Sequence, residues 1–241
     1  MAPVGGRGVV AVIPARLSSA RLPGKVLRSL GNRPLLAHLL ENLHHAQSLS
    51  GMVVATSDDP SDDAVAAFVD RVGVSCYRGS LDDVAGRVLA AADQAGALAI
   101  VRVSGDSPLL DPALVDQAVA QFGTEGGDVV SNVVVRTFPK GQSVELVTRE
   151  ALARAVAGMT TPAEREHVTP YLYAHPDRFR IRSFTAAVAR PDVQLSVDTL
   201  ADLERCEAVL TALGAPAWQV GWEACVRASD GLAGRALGGR A

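Results

Sequence analysis

Short apolar segments alternate with amphipathic ones through the first half of the chain, and this alternation restricts the fold more than any other feature. Residues 8–14 (GVVAVIP) are largely β-branched and end on proline, which suits a strand buried on both faces. Residues 34–49 have proline in the first turn and Leu35, Leu36, Leu39, Leu40 and Leu43 on one side, the spacing of a helix. Further strands are predicted at 52–56, 74–77 and 98–103, and helices at 61–72 (with Ser61 as cap), 82–95 and 112–122. Strands and helices repeating at this interval predict βαβ units, hence a mostly parallel sheet with helices on both faces. The alternation then loosens. Residues 128–135, 143–147, 179–184 and 194–197 read as strands of a mixed sheet, and 149–157, 164–174, 200–213 and 218–227 as helices. The expectation is one α/β domain over 1–228, with an inserted β-rich subregion at 133–184 and a fraying Gly/Ala/Arg-rich tail at 229–241.

Composition narrows the function. The chain has 241 residues, 48% of them apolar, enough for a sizeable core. Its net charge of −3 argues against an extended nucleic-acid footprint. No apolar run approaches the roughly 20 residues of a membrane span. Cys76, Cys206 and Cys225 form no C-x-x-C pair, so neither a zinc site nor a disulfide framework is expected, and the expected compartment is the cytoplasm.

In an open parallel sheet, ligands bind beyond the carboxyl ends of the strands. After the first predicted strand comes Ala15-Arg16-Leu17-Ser18-Ser19-Ala20-Arg21-Leu22-Pro23-Gly24-Lys25, with three cations in eleven residues. Backbone N–H groups with Arg and Lys suit a polyphosphate. It is neither a Walker A loop, since Val26 follows Gly24-Lys25, nor a G-x-G-x-x-G turn. An ordinary solvated basic loop is the competing reading. After the fourth strand, Asp106 follows Gly105, which allows close approach of a ligand to the backbone. A carboxylate there suits Mg²⁺, and equally a turn or helix cap. Asp198, after the last short strand, is open to the same two readings.

Taken together, these segments resemble the cytidylyltransferases that make CMP-sugar acids, the 3-deoxy-manno-octulosonate and acylneuraminate enzymes. The resemblance runs through Ile13-Pro14-Ala15-Arg16, Ser19 and Arg21-Leu22-Pro23-Gly24-Lys25, then Gly105-Asp106-x-Pro-Leu and Val197-Asp198-Thr199. Arg78-Gly79-Ser80-x-x-Asp83-Val84, Ser131-Asn132, Thr137-Phe138-Pro139-x-Gly141-x-Ser143-Val144-Glu145 and Arg165-Glu166-His167-Val168-Thr169-Pro170 are most similar to the spore coat polysaccharide (SpsF-type) branch. The resemblance covers roughly residues 9–213.

It implies a Rossmann-like, nucleotide-diphosphosugar-transferase type sheet. It also implies transfer of CMP from CTP to an acceptor hydroxyl with Mg²⁺, releasing pyrophosphate. On matching positions Arg16 and Lys25 would hold the triphosphate with Arg21 nearby, and Asp106 and Asp198 the metal. Pro14, Ala15, Ser19, Thr56, Ser80, Asp83 and Gly105 would complete the nucleotide site. The octulosonate enzymes' own acceptor-binding sequence is not found in the inserted half. An anionic acceptor, whether a sugar acid or a phosphonate, needs cations, and Arg136, Lys140 and Arg165 are offered there, with Glu145 and His167. For His167 a capping or packing role is the favoured reading over proton transfer. The resemblance also suggests a homodimer, through apolar edges at Val133–Val135 and Leu146–Val147, which read equally as core. Two rivals remain: a glycosyltransferase of the same sheet type, against which the missing D-x-D motif counts, and a non-catalytic nucleotide-binding protein.

Overall fold

The computed structural model describes residues 8–238. The first strand, β1 (Val9–Pro14), is followed by the loop that carries the cations. A two-residue antiparallel pair, β2 (Ser29–Leu30) and β3 (Arg33–Pro34), leads into α1 (Leu35–His44). Then come β4 (Gly51–Ser57), α2 (Asp63–Arg71), β5 (Ser75–Gly79), α3 (Val84–Gln94), β6 (Ala99–Arg102) and α4 (Pro112–Glu125). The second half supplies β7 (Val129–Ser131), β8 (Glu145–Thr148), α5 (Arg149–Gly158), α6 (Pro162–His167), α7 (Pro170–Ala174) and β9 (Ile181–Ser183). It closes with α8 (Leu200–Leu213), α9 (Ala217–Val220) and α10 (Trp222–Gly238).

Seven strands form one mixed sheet in the order β5-β4-β1-β6-β8-β7-β9. β5, β4, β1 and β6 are parallel, β8 runs antiparallel to both its neighbours, and β9 is parallel to β7. The side-chain period of two divides the core. Ala11, Ile13 and Val101 face a cluster built with α1, α4 and α8; Val10, Val12 and Ile100 face one built with α3, α5 and α7. No helix among the described residues is long and apolar enough to cross a membrane.

The chain runs outward from β1 to β4 and β5, then returns to the other side of β1 with β6. The sheet order therefore reverses between β1 and β6, where crevices form at the strands' carboxyl ends.

Several expectations change. The segment read as 128–135 stops pairing at Ser131, because Asn132 takes over: its side chain donates to Gln142 O at 2.7 Å and accepts from Val144 N at 2.8 Å. Residues 133–184 hold more helix than strand, and their strands belong to the one mixed sheet. The helix read as 164–174 is two, broken at Val168, whose φ of 67° no helix accommodates. Residues 194–197 form only a bridge, Lys140 to Gln194. Asp59, not Ser61, caps the turn before α2. The tail read as fraying from 229 continues α10 to Gly238, and Arg190 pairs with Asp230 there; residues 239–241 lie outside the described residues. Leu146 and Val147 are buried on an interior strand and offer no edge, whereas Val134 and Val135 are exposed on a turn.

Candidate active site

The loop after β1 is shaped before any ligand arrives. Leu22 and Val26 are buried and anchor it. Gly24, at φ 73°, turns the chain, its N–H donates to Leu17 O at 2.9 Å, and a short 3₁₀ turn (Lys25–Leu27) begins. Asp62, fully buried, accepts Leu17 N–H at 2.7 Å and the Ser57 hydroxyl, fixing the loop to the end of β4. Opposite, Gly105 N–H donates to Pro14 O at 3.3 Å. A Cβ at Gly105 would lie 3.0 Å from that oxygen and 3.2 Å from Ala15 Cβ, so glycine is what lets the two loops close together.

Between these loops lies a cavity of about 430 Å³. Lys25 Nζ sits at one end, 2.5 Å from Asp106 Oδ2, 3.1 Å from Asp198 Oδ1 and 2.9 Å from Val197 O. The two aspartates, 92 residues apart, therefore converge on one cation. Val197 N–H donates to Asp106 O at 2.9 Å and ties their loops together. Asp202, in the capping box of α8, accepts from Asp198 N at 3.2 Å and Thr199 N at 2.9 Å. Burial raises the Asp202 carboxyl, but the hydrogen bond from the Thr199 hydroxyl, and then these two, outweigh it and leave the group below its ordinary value. Arg21 meets Asp198 at 2.8 Å, and Arg16 pairs with Glu166 at 2.5 Å.

The donor set fits a divalent cation. Two carboxylates from neighbouring loops meet at a point that already holds positive charge, and no third His, Cys, Asp or Glu joins them in a metal-sized group among the described residues. Mg²⁺ characteristically takes one or two carboxylates and completes its shell with phosphate oxygens and water.

Of the residues expected at the nucleotide, Pro14, Ala15, Arg16, Ser19, Arg21, Lys25 and Gly105 line the cavity. Thr56, Ser80 and Asp83 do not. Thr56 is fully buried, and Asp83 caps α3 and pairs with Arg165 at 3.0 Å. Of the five residues expected at the acceptor, His167 alone lines the cavity; Arg136, Lys140 and Arg165 lie outside it, and Glu145 is buried beneath it.

Three charged lining residues had no role in the sequence reading: Arg87, Arg102 and Glu166. Arg87, from α3, donates to the carbonyls of Ser80 and Leu81, while burial, and then the neighbouring Arg16 charge, disfavour its protonated form. The available signal for Arg102 was a charge inside an otherwise apolar strand, IVRV, where burial demands a partner.

Residues 10–215 match the cytidylyltransferase family. The chain belongs to that family. It is accordingly a nucleotidyltransferase enzyme. It is 31% identical to the spore coat polysaccharide biosynthesis protein SpsF of Bacillus subtilis (strain 168), across 86% of this chain and 88% of that protein. A 3-deoxy-manno-octulosonate cytidylyltransferase of Geobacter sulfurreducens is 40% identical over 114 residues, 46% of this chain and 44% of that enzyme. A cytidylyltransferase structure from Leptospira borgpetersenii aligns with a TM-score of 0.82 at 31% identity, covering 86% of this chain and 87% of that one.

Proposed function

We propose that this cytidylyltransferase moves CMP from CTP to a hydroxyl of a small anionic acceptor, a sugar acid or a phosphonate, and releases pyrophosphate. The convergence of Lys25, Asp106 and Asp198 at the sheet's switch point is the observation that carries the reading. The names of the two curated relatives, one tied to polysaccharide synthesis and one to a sugar acid, support that class of acceptor.

In this reaction the acceptor oxygen attacks the α-phosphorus in line with the departing pyrophosphate, and negative charge grows on the phosphate oxygens. Lys25, Arg16 and Arg21 meet that charge. Lys25 is fixed beforehand between Asp106 and Asp198, while Arg16 and Arg21 reach the phosphates by leaving the partly exposed Glu166 and Asp198. Asp106 and Asp198 would hold Mg²⁺, which when bound supplies a concentrated positive charge at the transferring phosphate. The backbone of Pro14, Ala15 and Gly105, with Ser19, forms the rest of the nucleotide surface, and His167 faces the acceptor side. Pairing of two copies would use the exposed Val134 and Val135.

Thermal unfolding with CTP, UTP, ATP and GTP, each with and without Mg²⁺, tests the reading. A ligand at 100 times its Kd adds about 2.7 kcal/mol, a rise of roughly 5–10 °C for a chain of this size. A shift selective for CTP and enlarged by Mg²⁺ is expected, followed by pyrophosphate release with an acid acceptor. A shift only with a nucleoside diphosphate or nucleotide-sugar replaces this reading with a glycosyltransferase.

A further inference from the structure

Four arginines line the cavity, and three are engaged at its phosphate side or in its wall. Arg16 meets Glu166, Arg21 meets Asp198, and Arg87, 3% exposed, is spent on two loop carbonyls. Arg102 differs. Its Nη1 donates to Glu145 Oε2 at 2.6 Å and 22% of its side chain remains exposed, whereas Arg87 is buried; the Nε of both is buried without an acceptor. Glu145 is held from behind: Tyr173 Oη lies 2.6 Å from its Oε1 and 3.0 Å from Ser131 Oγ. Burial, and then the Glu145 charge, push the Tyr173 phenol up, so it keeps its proton and donates it to the carboxylate.

We propose that Arg102, braced by Glu145 and Tyr173, receives the acid group of the acceptor. The inference rests on the transfer reading above and names the residue that selects its second substrate. An anionic acceptor needs a cation within the cavity, and the three cations first offered for it, Arg136, Lys140 and Arg165, lie outside. Arg102 stands four residues before Asp106, at most about 13 Å along an extended chain. An arginine side chain and a small acid span that interval, which brings the acceptor's hydroxyl to the phosphate end. The guanidinium's Nη2, which is neither buried nor paired among the described residues, is the group an acid oxygen can reach. Glu145 and Tyr173 are positioning residues: they fix the guanidinium without touching the ligand.

Steady-state pyrophosphate release at saturating CTP tests this, with 3-deoxy-manno-octulosonate, N-acetylneuraminate and 2-hydroxyethylphosphonate as probes, alongside calorimetric CTP binding. The first two probes report a carboxylate and the third a phosphonate. Arg102→Met should raise the acceptor KM about 10–100-fold, the value of a charged hydrogen bond, and leave the CTP Kd within about twofold. Arg102→Lys should recover part of that loss, and Tyr173→Phe should raise the acceptor KM several-fold with CTP binding intact. An unchanged acceptor KM in Arg102→Met overturns the proposal, as does an equal loss of CTP affinity. A wild-type protein that binds CTP but uses none of the acids overturns it together with the acid-acceptor reading. A wild-type protein that does not bind CTP overturns the transfer reading itself.

Discussion

Replacing Lys25 with methionine keeps most of the side-chain volume and removes the one charge on which Asp106 and Asp198 converge. Breaking a fully buried ion pair costs about 3–5 kcal/mol. Lys25 and Asp106 remain 13% and 18% exposed, and Arg21 still meets Asp198, so the loss should be smaller. About 1–2 kcal/mol is reasonable after that discount, a fall of roughly 2–8 °C in Tm. Its cause can be isolated. With the ammonium gone the two carboxylates repel each other with no cation between them. Millimolar Mg²⁺ should raise the Tm of Lys25→Met more than that of wild type, because no ammonium competes for the carboxylates. Turnover should fall about 10²–10³-fold, as for loss of one preorganised donor. Thermal unfolding followed by tryptophan fluorescence and pyrophosphate release read these effects. A variant as stable as wild type at pH 7.5, indifferent to Mg²⁺ and fully active, refutes both the electrostatic reasoning and the proposed roles.

Glu166→Gln should free Arg16 for phosphate and tighten CTP binding about 2–5-fold, the scale of a partly exposed ion pair; an unchanged Kd by calorimetry would show that Arg16 does not turn to the nucleotide. Gly141→Ala should cost about 2–4 kcal/mol in denaturant unfolding, because φ is 94° and a Cβ would stand 2.6 Å from the Leu195 carbonyl carbon. Gly214→Ala, with positive φ but open space, is the comparison and should cost about 1 kcal/mol. Asp202→Asn should lose about 1 kcal/mol at pH 7 as the α8 cap weakens. The folded pKa of Asp202 is depressed, so its contribution is present above the unfolded value and is lost as pH falls through the folded one. The gap between wild type and Asp202→Asn should therefore close in acid, and a constant gap would assign the loss to packing.

The parallel half of the sheet was legible because each of its strands is short, apolar and bounded by turn residues. Position made Arg16, Lys25 and Asp106 candidates, since they stand just beyond β1 and β6, and the family resemblance then chose between the readings left open there. That Asp198 approaches Asp106 was legible only through the family resemblance. Their contact depends on Val197 N–H meeting Asp106 O across 91 residues of chain, which no local pattern encodes. The 133–184 half was harder still. An anionic acceptor's need for cations suggested Arg136 and Lys140, but the turn at 133–136 carries the first outside the cavity and the bridge to Gln194 holds the second there. Arg165 was offered on the same ground, yet its helix ends at His167 and turns it toward Asp83, leaving its neighbours Glu166 and His167 to face the cavity.

The ion pairs lining the cavity divide by what lies behind each acid. Glu166 and Asp198 are about a third exposed, so an arriving phosphate can take Arg16 and Arg21 from them while water solvates the released carboxylates. Glu145 is 5% exposed and held by Tyr173, and releasing it would strand a buried carboxylate. Arg102 must therefore keep Glu145 while it binds. The phosphate end works by exchange of partners and should weaken with salt; the Arg102 end works by addition of one. A guanidinium already committed on one N–H can offer only its remaining edge, so its recognition is set by the shape of the incoming acid more than by its charge.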